Sequence, residues 1–342
     1  MHSTTIGLDI AKHVFQVHGV DTSGAIVIRQ KLRRAEVLAF FETLAPALVG
    51  MEACPTSHHW ARELRALGHD VRLMPPAYVK PYVKRQKNDA ADAEAICEAV
   101  SRPTMRFVPV KSVDQQSALM LHRARDLLIR QRTMLKNALR GHLAEFGLTA
   151  PQGTSGNAML AAIVEDEDLE LLHPLARETL VLFVDQLREL QVKIATLDAR
   201  ILAWHRANEI SRRLETIPGI GPVIASALAA TIPDTSAFSS GRQLAAWIGL
   251  VPRQNSSGGK ERLGRITKKG EPYLRRLLVI GAAAVLRFSR DRTSALGAWV
   301  GALRARRPAM VATVGLANKL ARIAWAVMTR GVPFQPRLLA PA

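Results

Sequence analysis

Residues 4–30, TTIGLDIAKHVFQVHGVDTSGAIVIRQ, contain three short runs rich in β-branched and apolar residues, at 4–10, 14–21 and 25–30. Each run has the length and composition of a strand, and the DTSG between the last two is typical of a hairpin turn. Two further strands are predicted at 46–53 and 69–75, with helices at 35–45 and 56–67. Three strands joined by short turns, followed by strand, helix and strand, predict a mixed sheet covered by helices.

The rest of the chain has helical periodicity. Long helices are predicted at 112–145 and 175–205, and shorter ones at 241–249, 271–287 and 309–329. The stretches PQGTSGN and EDEDLE separate the two long helices, and a glycine-rich basic loop, PRQNSSGGKERLGRITKKG, precedes the helix at 271–287. The fold class is therefore α/β followed by all-α.

The second long helix carries an apolar seam with heptad spacing, which predicts a coiled coil or an antiparallel helix pair. The partner would be the 112–145 helix or another subunit, and an ordinary buried amphipathic helix remains the alternative. The seam consists of Leu180, Phe183, Leu187, Leu190, Ile194, Leu197, Ile201 and Trp204.

The charge of the chain is uneven. Its net charge is +18, and residues 251–342 contain 18 Lys and Arg but only 3 Asp and Glu. Such a basic region predicts a polyanionic partner, because each neutralised phosphate releases counterions. Two cysteines give no disulfide framework, no basic-then-apolar leader is present, and the longest apolar run, 277–286, is too short to cross a bilayer. We expect a protein of the bacterial cytoplasm with no membrane partner.

Four carboxylates occur at the ends of the predicted elements of the first hundred residues. Asp9 ends the first strand, Glu52 ends the fourth, and Asp89 and Asp92 share a face of a helix after the fifth. Four acids in one pocket repel unless a cation lies between them, and Mg²⁺ prefers such oxygen ligands. Two ions could support phosphoryl transfer, whereas each acid alone could equally serve as a turn, cap or solvated residue.

The motifs IGLDIAK, VGMEA and QKNDAADAEAI resemble the Asp-Glu-Asp-Asp catalytic set of a RuvC-like, RNase H-type domain. IPGIGPVIASAL, WIGLVPRQNSSGGKERLGRITKKGEPYLRRLL and LANKLARIAWAVM resemble the C-terminal domain of the same proteins, the insertion-sequence transposases described as bridge-RNA-guided recombinases. The resemblance implies catalytic, metal-binding roles for Asp9, Glu52, Asp89 and Asp92, with two Mg²⁺ ions for which Mn²⁺ could substitute.

The resemblance also implies that Ser257, in VPRQNSSGGK, attacks the DNA backbone and forms a 5′-phosphoserine. Ser256 beside it leaves the choice of nucleophile open, and from composition alone this segment would be a flexible loop without chemistry. The resemblance further implies donor and target DNA, a structured guide RNA, and a dimer or tetramer in which the acids and the serine meet across subunits.

Eight cations follow the serine region closely and would hold phosphates without reading sequence. They are Arg253, Lys260, Arg262, Arg265, Lys268, Lys269, Arg275 and Arg276. IPGIGPVIA at 217–225 has the pattern of a helix-hairpin-helix in which the amides around Gly219 and Gly221 approach phosphate. The alternative is a tight turn that needs glycine only for its backbone geometry.

Three domains are predicted: a RuvC-like domain at 1–110, with the 112–145 helix as a candidate extension, a long-helix region at 111–205, and a basic helical domain at 206–342. The favoured function is a metal-assisted serine transposase or recombinase. A RuvC-like junction resolvase or nuclease that activates water is the first alternative, and a non-catalytic architectural nucleic-acid binder is the second.

Overall fold

The computed structural model describes residues 5–84, 88–288 and 294–336, and the side chain of Thr154 is left out. The chain divides into two compact units, one of residues 1–115 with 231–243 and one of residues 116–230 with 244–342. The finer division at 110 and 205 stays a prediction.

The first unit is built on a five-stranded sheet. Its strands are β1 (Thr5–Ile10), β2 (Val14–Val20), β3 (Ile26–Arg33), β4 (Leu48–Glu52) and β5 (Asp70–Met74). Their order is β3-β2-β1-β4-β5, with β2 antiparallel to β1 and β3, and with β1, β4 and β5 parallel. The predicted mixed sheet is confirmed, although Thr4 of the first predicted strand lies outside the described residues.

Helices cover both faces of this sheet. They are α1 (Val37–Glu42), α2 (Ser57–Ala66), α3 (Pro76–Val79) and α4 (Asp89–Val100). Leu8, Val17, Val49 and the side chains of α1 and α2 form one apolar core, while α4 packs against the opposite face with Met74. Alternation along each strand therefore assigns every side chain to one of two faces.

Glycines on β1 and β4 allow α4 to lie close to the sheet. A Cβ built on Gly7 would be 2.1 Å from the carbonyl oxygen of Ala93, and one on Gly50 would be 2.7 Å from the Cβ of Val100. Both separations are far below van der Waals contact, so larger residues at these positions would push α4 away.

The second unit is mainly helical. Its helices are α5 (Val113–Ala144), α6 (Thr154–Glu165), α7 (Pro174–Ala207), α8 (Glu209–Glu215), α9 (Pro222–Thr231), α10 (Gly241–Ile248), α11 (Pro272–Phe288), α12 (Ala295–Arg306) and α13 (Ala309–Arg330). The long helices, α10, α11 and α13 were predicted within a few residues. The sequence predicted neither α6 nor α12, nor the two strands β6 (Pro252–Gln254) and β7 (Leu263–Ile266).

Helix α7, which carries the heptad seam, lies beside α5 of the same chain. Arg125 of α5 pairs with Asp198, Arg132 donates to Gln191 at 2.8 Å, and the ring of His142 lies 5.9 Å from that of Phe183. Residue numbers rise along one helix as they fall along the other, so the pair is antiparallel. Four residues of the seam are buried within this chain, Leu180, Leu190, Ile194 and Ile201, whereas Phe183, Leu187, Leu197 and Trp204 are partly exposed. The predicted helix pair within the chain is therefore present, and a contact of this seam with another subunit stays a prediction.

A buried polar group joins α5, α9 and α11. The His122 ring lies 3.0 Å from the Tyr273 hydroxyl through Nδ1 and 3.1 Å from the Ser226 hydroxyl through Nε2. Burial lowers the pKa of His122 to about 4, so its imidazole is neutral at pH 7 and can donate at one nitrogen and accept at the other. This contact anchors the start of α11, which leads the chain out of the β6–β7 region.

Helix α13 has the length and composition that a membrane span requires, with a mean hydropathy of 1.2, and no other described helix has both. Its apolar face, however, is buried against protein, since α13 packs on α8, α11 and α12. We therefore describe it as a core helix of the second unit.

Candidate active site and basic hairpin

Asp9 and Glu52 lie at the carboxyl ends of two neighbouring parallel strands. Leu8 of β1 is in register with Met51 of β4, so the next residues, Asp9 and Glu52, occupy equivalent positions at the same edge of the sheet. Both are partly exposed. Because Leu8 and Met51 face the core under α1 and α2, strand alternation places Asp9 and Glu52 on the face that α4 covers.

Helix α4 runs antiparallel to β1 and brings its first turn to this edge. The thiol of Cys97 lies 3.6 Å from the carbonyl oxygen of Thr5, and Ala93, one turn earlier, contacts Gly7. Four helix residues and two strand residues each advance about 6 Å. One more step in the same direction places the first turn of α4 level with Asp9.

Asp89 and Asp92 are both in that first turn. Asn88 caps the helix by accepting a hydrogen bond from the backbone of Ala91 at 2.9 Å. Asp89 is exposed and Asp92 is partly buried. The positive end of the helix dipole favours negative charge at both positions. The backbone therefore directs all four sequence-predicted acids, Asp9, Glu52, Asp89 and Asp92, toward one edge of the first unit, which we call the acidic edge.

Glu94, the remaining acid of the motif, has a separate role. It pairs with Lys84 at 2.5 Å, and this contact lowers the pKa of Glu94. His18 of β2 lies under the same face, and burial lowers its pKa, with smaller effects from Glu94 and Arg29. Glu94 is thus held by a lysine and does not belong to the acidic edge.

The chemistry of the acidic edge fits a hard divalent cation. All of its donors are carboxylate oxygens, the ligands that Mg²⁺ and Mn²⁺ prefer. Among residues 5–84, 88–288 and 294–336, however, no three His, Cys, Asp or Glu side chains are close enough to hold a metal ion. The strands and α4 bring the four acids to one edge, but their carboxylates would have to rotate inward to surround an ion.

Sequence reasoning missed two polar residues on this face, Gln16 and His18 of β2. Both are only 5% exposed, and they alternate with Phe15 and Val17 of the opposite core. Asp9 is in antiparallel register with Gln16, and Gly7 with His18. The alternation of polar and apolar residues along β2 was the signal that could have identified them.

In the second unit, the predicted loop around Ser257 is a β-hairpin. Strands β6 and β7 pair antiparallel, and the Lys260 amide donates to the Ser257 carbonyl at 3.1 Å across the tip. Gly258 and Gly259 have φ values of 56° and 76°, as a type I′ turn requires. We call residues 252–266 the basic hairpin. Its strands are short and almost fully exposed, so they lack the apolar alternation by which strands are recognised in sequence.

The hairpin distinguishes its two serines. The Ser256 hydroxyl accepts a hydrogen bond from the Arg262 amide at 3.1 Å, which ties it to the opposite strand. Ser257 occupies the first position of the turn and is exposed, and its hydroxyl makes no hydrogen bond to any residue that the structure describes. Both serines are exposed, and Ser257 is the one whose hydroxyl is not already hydrogen-bonded within the hairpin.

The predicted phosphate-binding cations fall into two groups. Arg275 donates to the carbonyl oxygens of Ile248 at 2.8 Å and Lys269 at 3.1 Å, and Arg276 pairs with Asp126 of α5. These two are engaged within the fold, which the sequence did not predict. The other six side chains are exposed on or beside the hairpin: Arg253, Lys260, Arg262, Arg265, Lys268 and Lys269.

The two glycines of the turn between α8 and α9 have different surroundings. Gly219, with φ of 86°, packs on α11, where a Cβ would lie 2.5 Å from Val285 and 2.8 Å from the carbonyl oxygen of Gly281. This geometry favours the packing alternative over phosphate binding at Gly219. Gly221 is exposed, and a Cβ built there would have no neighbour within 4 Å.

Two family models match the chain. The model described as Transposase IS116/IS110/IS902 family covers residues 211–297, which include the basic hairpin. The model of the IS110-type DEDD domain, described as Transposase, covers residues 6–147, which include the acidic edge.

Curated relatives match over nearly the full chain. A probable family 20 transposase of Pseudomonas aeruginosa is 51% identical over 98% of this chain and 100% of its own length. The transposase for insertion sequence element IS1328 of Yersinia enterocolitica is 40% identical, covering 97% of this chain and 98% of its own. A pilin gene-inverting protein of Moraxella bovis is 31% identical over 45% of this chain and 49% of its own length.

Proposed function

Because the chain belongs to the IS110/IS116/IS902 family of insertion-sequence transposases, which cleave and join DNA, we propose that Ser257 is the nucleophile of its cleavage reaction. The observation that carries this proposal is the exposed, unengaged Ser257 hydroxyl at the tip of the basic hairpin, beside a Ser256 hydroxyl that is already hydrogen-bonded. Two consecutive glycines leave room for a phosphodiester to approach the hydroxyl.

In the proposed step, the Ser257 oxygen attacks phosphorus and loses its proton to solvent. The bond from phosphorus to the 3′-oxygen breaks, and that oxygen takes up a proton to become a free 3′-hydroxyl. The product is a 5′-phosphoserine ester. Attack by the 3′-hydroxyl of another strand reverses the chemistry, joins the DNA and releases Ser257, so the phosphodiester bond energy is retained.

The acidic edge supplies the ligands in this proposal. Asp9, Glu52, Asp89 and Asp92 would bind Mg²⁺ or Mn²⁺, and the bound ions would lower the pKa of the attacking hydroxyl and neutralise charge on the leaving oxygen. The order β3-β2-β1-β4-β5 and the acids at the ends of β1 and β4 support an RNase H-like, RuvC-like fold for the first unit.

The exposed cations of the basic hairpin would hold the DNA backbone near Ser257. Contacts to phosphate fix position but carry little sequence information. We therefore propose that donor and target sites are chosen by base pairing with a structured guide RNA, which would account for target choice without base-reading side chains. The proposal also includes a dimer or tetramer in which the acidic edge of one subunit and Ser257 of another act on the same phosphodiester.

A DNA adduct assay tests the serine. Full-length protein is incubated with Mg²⁺, the element's end DNA and RNA transcribed from the element's flanking non-coding sequence, and the products are denatured. We expect a protein–DNA adduct for the wild type, none for Ser257→Ala, and an adduct for the matched control Ser256→Ala. An adduct that persists in Ser257→Ala and disappears in Ser256→Ala would move the nucleophile to Ser256.

The same assay distinguishes the proposed serine mechanism from that of a nuclease that activates water. Free 5′-phosphate ends without any adduct, in wild type and Ser257→Ala alike, would mean that water is the nucleophile and that Ser257 is only a turn residue. The architectural alternative predicts no cleavage in any variant, including Asp9→Asn.

A further inference from the structure

Gln16 of β2 has a buried amide oxygen with no partner. Its side chain is 5% exposed, and within the described residues its Oε1 atom accepts no hydrogen bond. A buried acceptor left unsatisfied is unfavourable, and most buried polar side-chain atoms in native proteins have a partner in the protein or in an ordered water. The only other unpartnered buried side-chain atoms in the described residues belong to Trp60 and Thr267, neither of which is beside the acidic edge.

The position of Gln16 relates this oxygen to the acidic edge. Gln16 is directly opposite Asp9 in the antiparallel ladder of β1 and β2. Opposed residues on one face have Cβ atoms about 5 Å apart. Glu52 lies on the other side of Asp9, at the end of β4. Gln16, Asp9 and Glu52 thus form a row across three adjacent strands on the face that α4 covers.

The neighbouring groups do not satisfy Gln16. Lys31, opposite it on β3, is exposed. The pKa of His18, two residues along β2, is lowered chiefly by burial, with smaller effects from Glu94 and Arg29. Glu94 is itself paired with Lys84. A neutral amide oxygen is a hard ligand that adds no negative charge to a site already containing four carboxylates.

We propose that Gln16 belongs to the metal-binding set of the acidic edge: its amide oxygen contacts the divalent cation bound by Asp9 or accepts a hydrogen bond from a water on that cation. This inference rests on the proposed metal-binding role of the acidic edge. It accounts for a buried polar side chain that would otherwise only destabilise the folded protein, and it extends the row of ligands from β1 and β4 to β2.

Mn²⁺ binding to the full-length protein, without nucleic acid, tests the inference by calorimetry and by the metal-induced rise in melting temperature. We expect Gln16→Met, which keeps the volume but removes the oxygen, to weaken Mn²⁺ about tenfold, as loss of an outer partner commonly does. Gln16→Glu, which restores an oxygen, should bind at least as tightly as wild type. Gln30→Met on exposed β3 is the matched control and should change nothing.

Metal-free melting temperatures exclude a merely structural role. An apolar side chain in place of an unpartnered oxygen should leave the metal-free melting temperature of Gln16→Met equal to or above that of wild type. A lower value, or unchanged Mn²⁺ affinity in Gln16→Met while Asp9→Asn abolishes binding, overturns the role of Gln16 alone. Wild-type protein without Asp9-dependent Mn²⁺ binding overturns the proposed metal site as well.

Discussion

The acidic edge and the basic hairpin are assembled in opposite ways. The acidic edge brings together Asp9, Glu52 and the first turn of α4, which lie between positions 9 and 92 of the chain, through strand register and helix packing. The basic hairpin carries Ser257 and four exposed cations, Arg253, Lys260, Arg262 and Arg265, within fifteen consecutive residues around one turn, and Lys268 and Lys269 follow directly.

Because of this difference, we expect the two regions to respond differently to mutations in the packed core and to mutations in the turn. The acidic edge depends on buried contacts distant from the acids, because several elements must keep their relative positions. The hairpin depends on its local turn residues and on the two hydrogen bonds that Arg275 donates to the carbonyl oxygens of Ile248 and Lys269, because the side chains of its own strands are almost fully exposed. Changes in packing should therefore damage the metal site more than the serine.

The largest expected effect tests whether the two regions of one subunit must work together. Asp9→Asn and Ser257→Ala should each reduce adduct formation by at least about 10³-fold, since each removes a required component. If the active site is composite across subunits, coexpression of the two variants should restore roughly a quarter of wild-type adduct in a dimer, because half of the dimers then contain one intact site of two.

Adduct yield from the coexpressed, copurified mixture is the measurement. Two Asp9→Asn preparations tagged and mixed in the same way provide the control for carry-over. If no adduct returns in the Asp9→Asn and Ser257→Ala mixture, the acids and the serine must come from the same subunit.

A smaller effect tests the dependence of the acidic edge on packing. Gly7→Ala places a methyl group against the backbone of Ala93 and should cost about 3 kcal/mol of unfolding free energy while weakening Mn²⁺ binding. Gly301→Ala, at an exposed position of α12 with no neighbour within 4 Å of a built Cβ, is the matched control and should be neutral or slightly stabilising.

Urea unfolding and Mn²⁺ calorimetry provide both quantities. The importance of α4 packing for the acidic edge would be refuted by a Gly7→Ala protein that binds Mn²⁺ with wild-type affinity.

The smallest expected effect tests the division of the predicted phosphate-binding cations into exposed side chains and side chains bonded within the fold. Arg253→Ala should leave the melting temperature unchanged and reduce the salt dependence of DNA binding by about one unit of slope, because it removes one phosphate contact. Arg275→Ala should instead lower unfolding free energy by about 1–3 kcal/mol, since the carbonyls of Ile248 and Lys269 lose their donor.

DNA binding measured over a series of salt concentrations, with parallel thermal melts, checks both expectations. Equal salt slopes and equal melting temperatures for the two variants would show that Arg275 contributes to DNA binding in the same way as Arg253.

The fold of the first unit was largely predictable, because β-branched runs between turn residues are local signals. The β6–β7 hairpin was not, since its polar strands have no buried face to impose alternation. Similarly, α6 was hidden because it begins within the glycine- and serine-rich segment that predicted a separator.

Among the site residues, the four acids could be proposed from their order along the chain, but their neighbours could not. Gln16 became relevant only through its register with Asp9, and only the structure showed that Arg275 donates to the carbonyl oxygens of Ile248 and Lys269. The distinction between Ser256 and Ser257 likewise required a hydrogen bond across the hairpin.

The sequence by itself determined most of the elements, the basic C-terminal region and the residue types capable of phosphoryl transfer, because periodicity, charge and side-chain chemistry are properties of the local chain. Tertiary structure decided which polar groups face one another and which are already engaged. Those relations depend on register and on helix packing between distant segments, where a shift of one residue turns a side chain to the opposite face.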